Sequence, residues 1–176
     1  MSERRLVLLR HAKAEPPTGV ADFDRPLTAD GHADSAAAGA WLARSGYLPD
    51  LVICSPARRA RQTWHGVALG MAESRPVEQT AARAPVVRYE AGIYQGGASD
   101  LLSLLQTSAA DEAATVLVVG HNPAISELSA LLDPAPSRDR DGLQTSGLAI
   151  HEVSGAWRDL SAGAAPLRVW HTARAE

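Results

Sequence analysis

The chain has 176 residues, 45% of them hydrophobic and 21% charged, which predicts a single domain over residues 1–176 with one buried core. Its formal net charge of −3 excludes the broad positive field that holds nucleic acid or an anionic membrane. One cysteine excludes an internal disulfide and a multi-cysteine zinc site, and the absence of an apolar signal or membrane-spanning stretch predicts a cytoplasmic location.

Strands and helices alternate along the chain. Apolar runs indicate buried strands, and Ala-rich or periodic segments between breakers indicate helices. In chain order we predict a strand at 6–9, a helix at 31–45, a strand at 51–55, a helix from 56 to about 71, a strand at 86–90, a short helix at 100–106, a strand at 115–119, a helix at 123–132 and strands at 148–153, 157–160 and 167–171.

Capping residues set the expected helix starts and the breaker content sets the expected loops. Ser55-Pro56 and Asn122-Pro123 each predict an N-cap followed by proline in the first turn, and Ser99 is the predicted cap of the short helix. Residues 130–147 are polar and rich in breakers, which predicts a mobile loop. The pattern predicts an α/β fold in three layers, with a mostly parallel central sheet flanked by helices and C-terminal antiparallel or edge strands.

Basic and acidic side chains follow the predicted parallel strands. The first strand ends in Arg10-His11, the second in SPARRARQT, the third in Glu90 and the fourth in Gly120-His121-Asn122. Ligands of open parallel sheets bind beyond the carboxyl ends of the strands. Arginine forks and helix N-termini at such a rim suit a phosphoryl group.

Three motifs together resemble those of the histidine phosphatase superfamily: RHAKAE after the first strand, SPARRARQT after the second and VVGHN in the fourth. Ala12 stands where that family more often has Gly. The segment DFDRPLTADG and the short chain are most similar to the SixA-type phosphohistidine phosphatases. The resemblance implies the α/β fold of phosphoglycerate mutase-like proteins.

The resemblance also implies site roles. His11 would be the nucleophile and form a phosphohistidine, while Arg10, Arg59 and a protonated His121 would hold the phosphate. Asn122 and Asp24 are further candidates for substrate binding, and the flanking Arg58 and Arg61 are expected on the surface. Neither a metal nor a cofactor is expected, because the arginines and His121 supply positive charge and no metal-ligand motif is present.

The proton donor stays open among three carboxyls. Glu90 occupies roughly the place where larger family members have a glutamate, and Asp22 and Asp24 lie in a loop that could fold over the pocket. A phosphohistidine substrate would depend less on an acid, since imidazole leaves more readily than an alkoxide.

The expected reaction is removal of phosphate from phosphohistidine on a protein. The alternatives are a phosphatase for a small phosphorylated metabolite and a non-catalytic phosphate- or phosphoprotein-binding module. A nucleophile at the strand tip favours the enzyme. The sixth position after Cys54 is Ala60, so the cysteine-phosphatase spacing is absent, and the sequence predicts no particular oligomeric state.

Overall fold

The computed structural model describes residues 3–76, 83–109, 112–136 and 141–176. Its strands form one sheet, and helices connect most of them. The strands are β1 (Arg4–Arg10), β2 (Leu51–Cys54), β3 (Val86–Tyr89), β4 (Thr115–Gly120), β5 (Gly147–Val153) and β6 (Leu167–Thr172). The α-helices are α1 (Ala29–Ser45), α2 (Arg58–Ser74), α3 (Ala91–Gln95), α4 (Ala98–Ser108) and α5 (Ala124–Leu132).

The sheet order is β3-β2-β4-β1-β5-β6. The four strands from β3 to β1 are parallel, β5 runs antiparallel to β1, and β6 runs antiparallel to β5. The predicted α/β fold, with a mostly parallel sheet and antiparallel strands from the C-terminal part, is therefore confirmed. This order brings the carboxyl ends of β1, β2 and β4 side by side.

Alternating side chains of each central strand feed two apolar cores. In β1, Leu6 and Leu8 pack on the side of α4 and α5, whereas Val7 and Leu9 pack on the side of α1 and α2. Successive side chains of a strand point to opposite faces, so a sheet covered on both sides has apolar residues at every position. This explains the uninterrupted run LVLL and fixes β1 at the centre of the molecule.

The first helix begins at Ala29, two residues before its predicted start, and ends at Ser45 as predicted. The hydroxyl of Thr28 accepts a hydrogen bond from the Gly31 amide at 2.9 Å, which caps the helix start. Gly46 ends the helix with φ of 82°, a left-handed conformation that glycine adopts without steric cost.

Three further predicted helix starts are displaced. The helix after β2 begins at Arg58 with Ala57 as N-cap, the helix after β4 begins at Ala124, and α4 begins at Ala98. The side chains of Ser55 and Asn122 are not caps, because tertiary contacts near the strand ends engage them instead.

Two further predictions are corrected. Residues Trp157–Asp159 form a 3-10 helix and not a strand, because Trp157 turns into the core and donates to the Ala113 carbonyl at 2.9 Å. The predicted loop begins inside α5, which ends at Leu132, and its described residues 133–136 and 141–146 form no helix or strand, with Leu143 buried. Residues 137–140 lie outside the described part.

Within the described ranges, none of the helices has both the length and the apolar character needed to cross a membrane. A cytoplasmic location stays a prediction of the sequence.

Candidate active site

Four side chains meet beyond the carboxyl ends of β1, β2 and β4. Arg10 ends β1 and His11 follows it, Arg59 lies in the first turn of α2, and His121 follows β4. The centroids of the two imidazole rings are 5.1 Å apart. We call these four residues the floor, because three of them are largely removed from solvent by the surrounding strands and helices.

His11 is held in one tautomer. It is 8% exposed, and its Nδ1 lies 2.7 Å from the Ala12 carbonyl oxygen. A carbonyl only accepts hydrogen bonds, so Nδ1 carries the proton and Nε2 keeps its lone pair. Burial is the main cause that lowers the His11 pKa to about 3. The ring is therefore neutral near pH 7.

His121 is neutral as well, which differs from the protonated form expected from the sequence. Burial and then the positive charge of Arg59 lower its pKa to about 4. Its Nε2 lies 2.7 Å from the Ser55 hydroxyl oxygen, which also accepts from the Ala57 amide at 3.2 Å. When Ser55 donates to Nε2, the other ring nitrogen of His121 carries a proton and can donate without a net charge.

The floor contains buried nitrogens that have no partner among the described residues: Arg10 Nε, Arg59 Nε and His121 Nδ1. An unpaired buried polar group costs about 1–3 kcal/mol. Two of these atoms belong to guanidinium groups and the third to an imidazole at the same edge of the sheet, and such a set suits an anion with several acceptor oxygens.

A second group of residues borders the floor on the solvent side. It consists of Asp22 and Phe23, from the 3-10 helix Asp22–Asp24, and Tyr94 of α3, and we call it the lip. Arg59 Nη1 donates to the backbone carbonyl of Asp22 at 2.8 Å, and Arg59 Nη2 donates to the Asp22 carboxylate at 3.1 Å. The Tyr94 hydroxyl donates to the same carboxylate at 2.7 Å. The lip is thereby tied to the floor.

The Asp22 carboxylate is ionised near neutral pH. Hydrogen bonds from Tyr94 and Arg25 are the largest causes that hold its pKa far below the usual range. The same bond raises the pKa of Tyr94. An ionised carboxylate with three donors is poorly suited to give up a proton, which argues against Asp22 as the proton donor.

The remaining candidate residues are Asp24, Glu90 and Asn122, and they make none of the hydrogen bonds described above between the floor and the lip. Asp24 is exposed and makes no side-chain hydrogen bond with the described residues. Glu90 is half-buried between β3 and α3, likewise without a side-chain partner in the described ranges. Asn122 lies next to His121, and its amide donates to the Leu143 carbonyl at 2.8 Å, the same oxygen that accepts from Arg10 at 3.0 Å. Asn122 therefore anchors the segment that orients Arg10.

Sequence patterns did not point to Tyr94, to the bond between Ser55 and His121, or to the Leu143 carbonyl. The five-residue helix that carries Tyr94 is too short to show a period, and a carbonyl has no sequence signature. The signal for Ser55 was its place directly after a buried strand, where we predicted a helix cap.

The other singled-out residues lie where their surroundings explain them. Arg58 and Arg61 are exposed on α2, as expected. Cys54 is buried in β2, and burial raises the pKa of its thiol. The backbone at Ala12 has no positive φ, so alanine is accommodated where glycine is commoner in the family. Within the described ranges, no three His, Cys, Asp or Glu residues form a group that could hold a metal ion.

Comparison with known proteins identifies the family of this chain. The sequence pattern of the histidine phosphatase superfamily (branch 1) matches residues 6–82. The structure of a SixA protein of Nakamurella multipartitia, described as a candidate phosphohistidine phosphatase, is 34% identical with a TM-score of 0.80 and covers 98% of each chain. Its counterpart from Agrobacterium tumefaciens is 27% identical with a TM-score of 0.72, over 96% of this chain and 98% of that one.

Relatives known from sequence extend the match along nearly the whole chain. A protein of Mycobacterium tuberculosis is 34% identical over 173 residues, which cover 94% of this chain and 100% of that one. It is described as an uncharacterized protein. This chain belongs to the histidine phosphatase superfamily, and its structural neighbours include SixA proteins.

Proposed function

We propose that this protein is a metal-independent phosphatase that uses His11 as its nucleophile and removes the phosphoryl group from phosphohistidine on a protein. The observation that carries the proposal is the hydrogen bond from His11 Nδ1 to the Ala12 carbonyl. It leaves Nε2 with a lone pair, on a ring whose lowered pKa keeps it neutral. A binding module would need the arginines but not a nucleophile held in this way.

The reaction proceeds in two displacements. His11 Nε2 attacks phosphorus, the bond to the leaving group breaks, and the leaving nitrogen or oxygen takes up a proton. Water then attacks phosphorus, the bond to His11 breaks, and phosphate is released. Arg10, Arg59 and His121 donate to the phosphoryl oxygens, whose negative charge would also raise the pKa of His121.

Two observations support phosphohistidine as the substrate. The structural neighbours at 34% and 27% identity are described as candidate phosphohistidine phosphatases. The carboxylate nearest the floor is ionised and engaged by three donors. A site whose contacting carboxylate is not a ready acid suits a leaving group such as imidazole, which depends on a donor less than an alkoxide does.

The covalent intermediate provides the test of the nucleophile. Acid-denaturing the protein after a brief reaction with radiolabelled phosphohistidine peptide should trap a base-stable, acid-labile label on His11, and His11→Ala should remove both label and turnover. The exposed His65 offers a matched control, because His65→Ala should keep both. Full labelling of the His11 variant would refute the assignment.

Substrate class is tested by ranking kcat/KM across a phosphohistidine protein, a phosphohistidine peptide and sugar, nucleotide and glycerate phosphates. We expect the phosphohistidine substrates to rank first. A metabolite in first place would favour the small-molecule phosphatase instead. Dialysis against a chelator should leave kcat unchanged, because the two guanidiniums supply the charge that a metal provides elsewhere.

A further inference from the structure

An aromatic row leads from the protein surface to the nucleophile. The Phe23 and Tyr94 ring centroids are 5.1 Å apart with the rings nearly perpendicular, and the Tyr94 and His121 centroids are 5.6 Å apart. His121 in turn lies 5.1 Å from His11. The guanidinium carbon of Arg59 lies 5.9 Å from the centre of the Tyr94 ring. The aromatic part of the lip therefore directly adjoins the groups assigned to the phosphoryl oxygens.

Phe23 is the chain's only phenylalanine, and it is 37% exposed. Large aromatic side chains usually lie in cores, and an isolated exposed one needs no explanation. Phe23 is not isolated, because its ring contacts Tyr94 and its neighbour Asp22 is bonded to Arg59, Arg25 and Tyr94. The ring is thus held on a fixed turn at the mouth of the site.

The position of the leaving group follows from the direction of attack. In an in-line displacement the leaving atom lies on the side of phosphorus opposite the attacking nitrogen. His11 lies on the buried side, and a phosphorylated side chain of another protein must enter from solvent. The leaving group therefore lies toward solvent, and Phe23 and Tyr94 are the partly exposed aromatic side chains in the row next to His121.

We propose that Phe23 and Tyr94 form a leaving-group subsite that contacts a planar ring, and that this subsite selects the imidazole of phosphohistidine over leaving groups without a ring. Perpendicular rings offer a face and an edge to a third ring, and both arrangements are favourable for aromatic groups. The inference rests on the proposed phosphatase function. It adds the two side chains that would distinguish substrates with a ring as leaving group from substrates without one.

Two substrates with the same type of bond isolate the ring. Phosphoimidazole and phosphoramidate both transfer a phosphoryl group from nitrogen, but only phosphoimidazole carries a ring. Phe23→Ala should lower kcat/KM for phosphoimidazole about three- to tenfold and change that for phosphoramidate less than about twofold. Val20, 43% exposed in the same loop, gives the matched control, because Val20→Ala should change neither value.

Two substitutions at Tyr94 separate the ring from its hydroxyl. Tyr94→Phe removes the bond to Asp22 but keeps the ring, so the preference for phosphoimidazole over phosphoramidate should persist. Tyr94→Leu keeps apolar bulk without the ring and should reduce that preference, as should Phe23→Leu. If both leucine variants keep the wild-type preference, or if Phe23→Ala slows both substrates equally, the subsite is refuted.

The failure of the subsite is distinguishable from failure of the proposed function. If only the subsite is wrong, His11→Ala still abolishes hydrolysis of both substrates while the ring variants leave their ratio unchanged. If His11→Ala hydrolyses both at the wild-type rate, or the wild type hydrolyses neither, the proposed function is wrong and the subsite is rejected with it.

Discussion

The floor and the lip lie side by side but are built in opposite ways. The floor consists of side chains at the ends of central strands, with neutral imidazoles and buried nitrogens that have no partner among the described residues. The lip consists of side chains on a short turn and a short helix, partly exposed, and its carboxylate is engaged by three donors.

The difference shows which region is prepared for charge. Unpaired buried donors are stabilised when an anion provides acceptors, whereas a carboxylate that already accepts three hydrogen bonds gains little from a ligand. The guanidiniums of Arg10, Arg59 and Arg25 against the one Asp22 carboxylate leave the site with a local positive charge. The floor therefore suits the phosphoryl group, and the lip suits what the phosphoryl group is attached to.

The largest expected effect comes from breaking the floor at Arg59. Arg59→Ala removes a buried donor and should lower kcat/KM about a hundred- to a thousandfold, as loss of one oxyanion donor does elsewhere. The neighbouring Arg58→Ala and Arg61→Ala should each change kcat/KM less than about threefold, because both side chains are exposed. Similar losses in all three would place the phosphate elsewhere.

The buried histidines of the floor should make stability depend on pH. Their pKa values in the folded protein, about 3 for His11 and about 4 for His121, lie below the usual 6.5. Below pH 6.5 the unfolded chain therefore binds more protons than the folded protein does. The free energy of unfolding should therefore be highest above pH 6.5 and fall toward pH 4 by up to about 1.4 kcal/mol per pH unit for each histidine.

Urea unfolding at a series of pH values measures this slope. His11→Gln and His121→Gln should each reduce it, whereas His65→Gln, at an exposed position, should reduce it less. The pKa of Asp22 is lowered too. Its contribution to the free energy of unfolding is lost only below pH 3.8, the ordinary pKa of this side chain, and therefore outside the range from pH 4 to pH 6.5. An unchanged slope in both floor variants would mean that the imidazoles are protonated in the folded protein.

Glu90 and Asp24 lie outside both the floor and the lip. If one of them is the proton donor, its loss should slow hydrolysis of alkyl phosphates about tenfold. Glu90→Gln should lower hydrolysis of alkyl phosphates at least about tenfold and barely change hydrolysis of phosphohistidine, since only the alkoxide needs a strong donor. Asp24→Asn is the parallel variant for the exposed carboxyl of the loop. Intact alkyl phosphate turnover in both would exclude both residues as the donor.

The smallest expected effect is on inhibition by phosphate, and it comes from the contact between Arg59 of the floor and Asp22 of the lip. The Asp22 carboxylate occupies Nη2 of Arg59, so its negative charge opposes that of phosphate. Asp22→Asn should therefore lower the inhibition constant of inorganic phosphate by about threefold, measured by competitive inhibition. Asp24→Asn should not change it, because Asp24 makes no side-chain hydrogen bond with the described residues. Weaker inhibition in Asp22→Asn would show that Asp22 mainly orients Arg59.

The sequence by itself determined the strands of the central sheet and the identity of the floor. Apolar runs buried on both faces are explicit in the chain, and Arg10, His11 and His121 follow two of them directly. Parallel connectivity then requires their ends to share one edge. Arg59 needed the family resemblance as well, because three arginines follow the second strand and their spacing does not distinguish them.

Only the tertiary structure decided the lip and the protonation of the floor. Asp22 reaches Arg59 across 37 positions and Tyr94 across 72, and no local pattern encodes which side chains meet over such separations. The lowered pKa of His121 could not be predicted from the sequence for the same reason. Its pKa depends on burial and on the nearby guanidiniums, which exist only once the strands have assembled, whereas the motif around it fixes only its position.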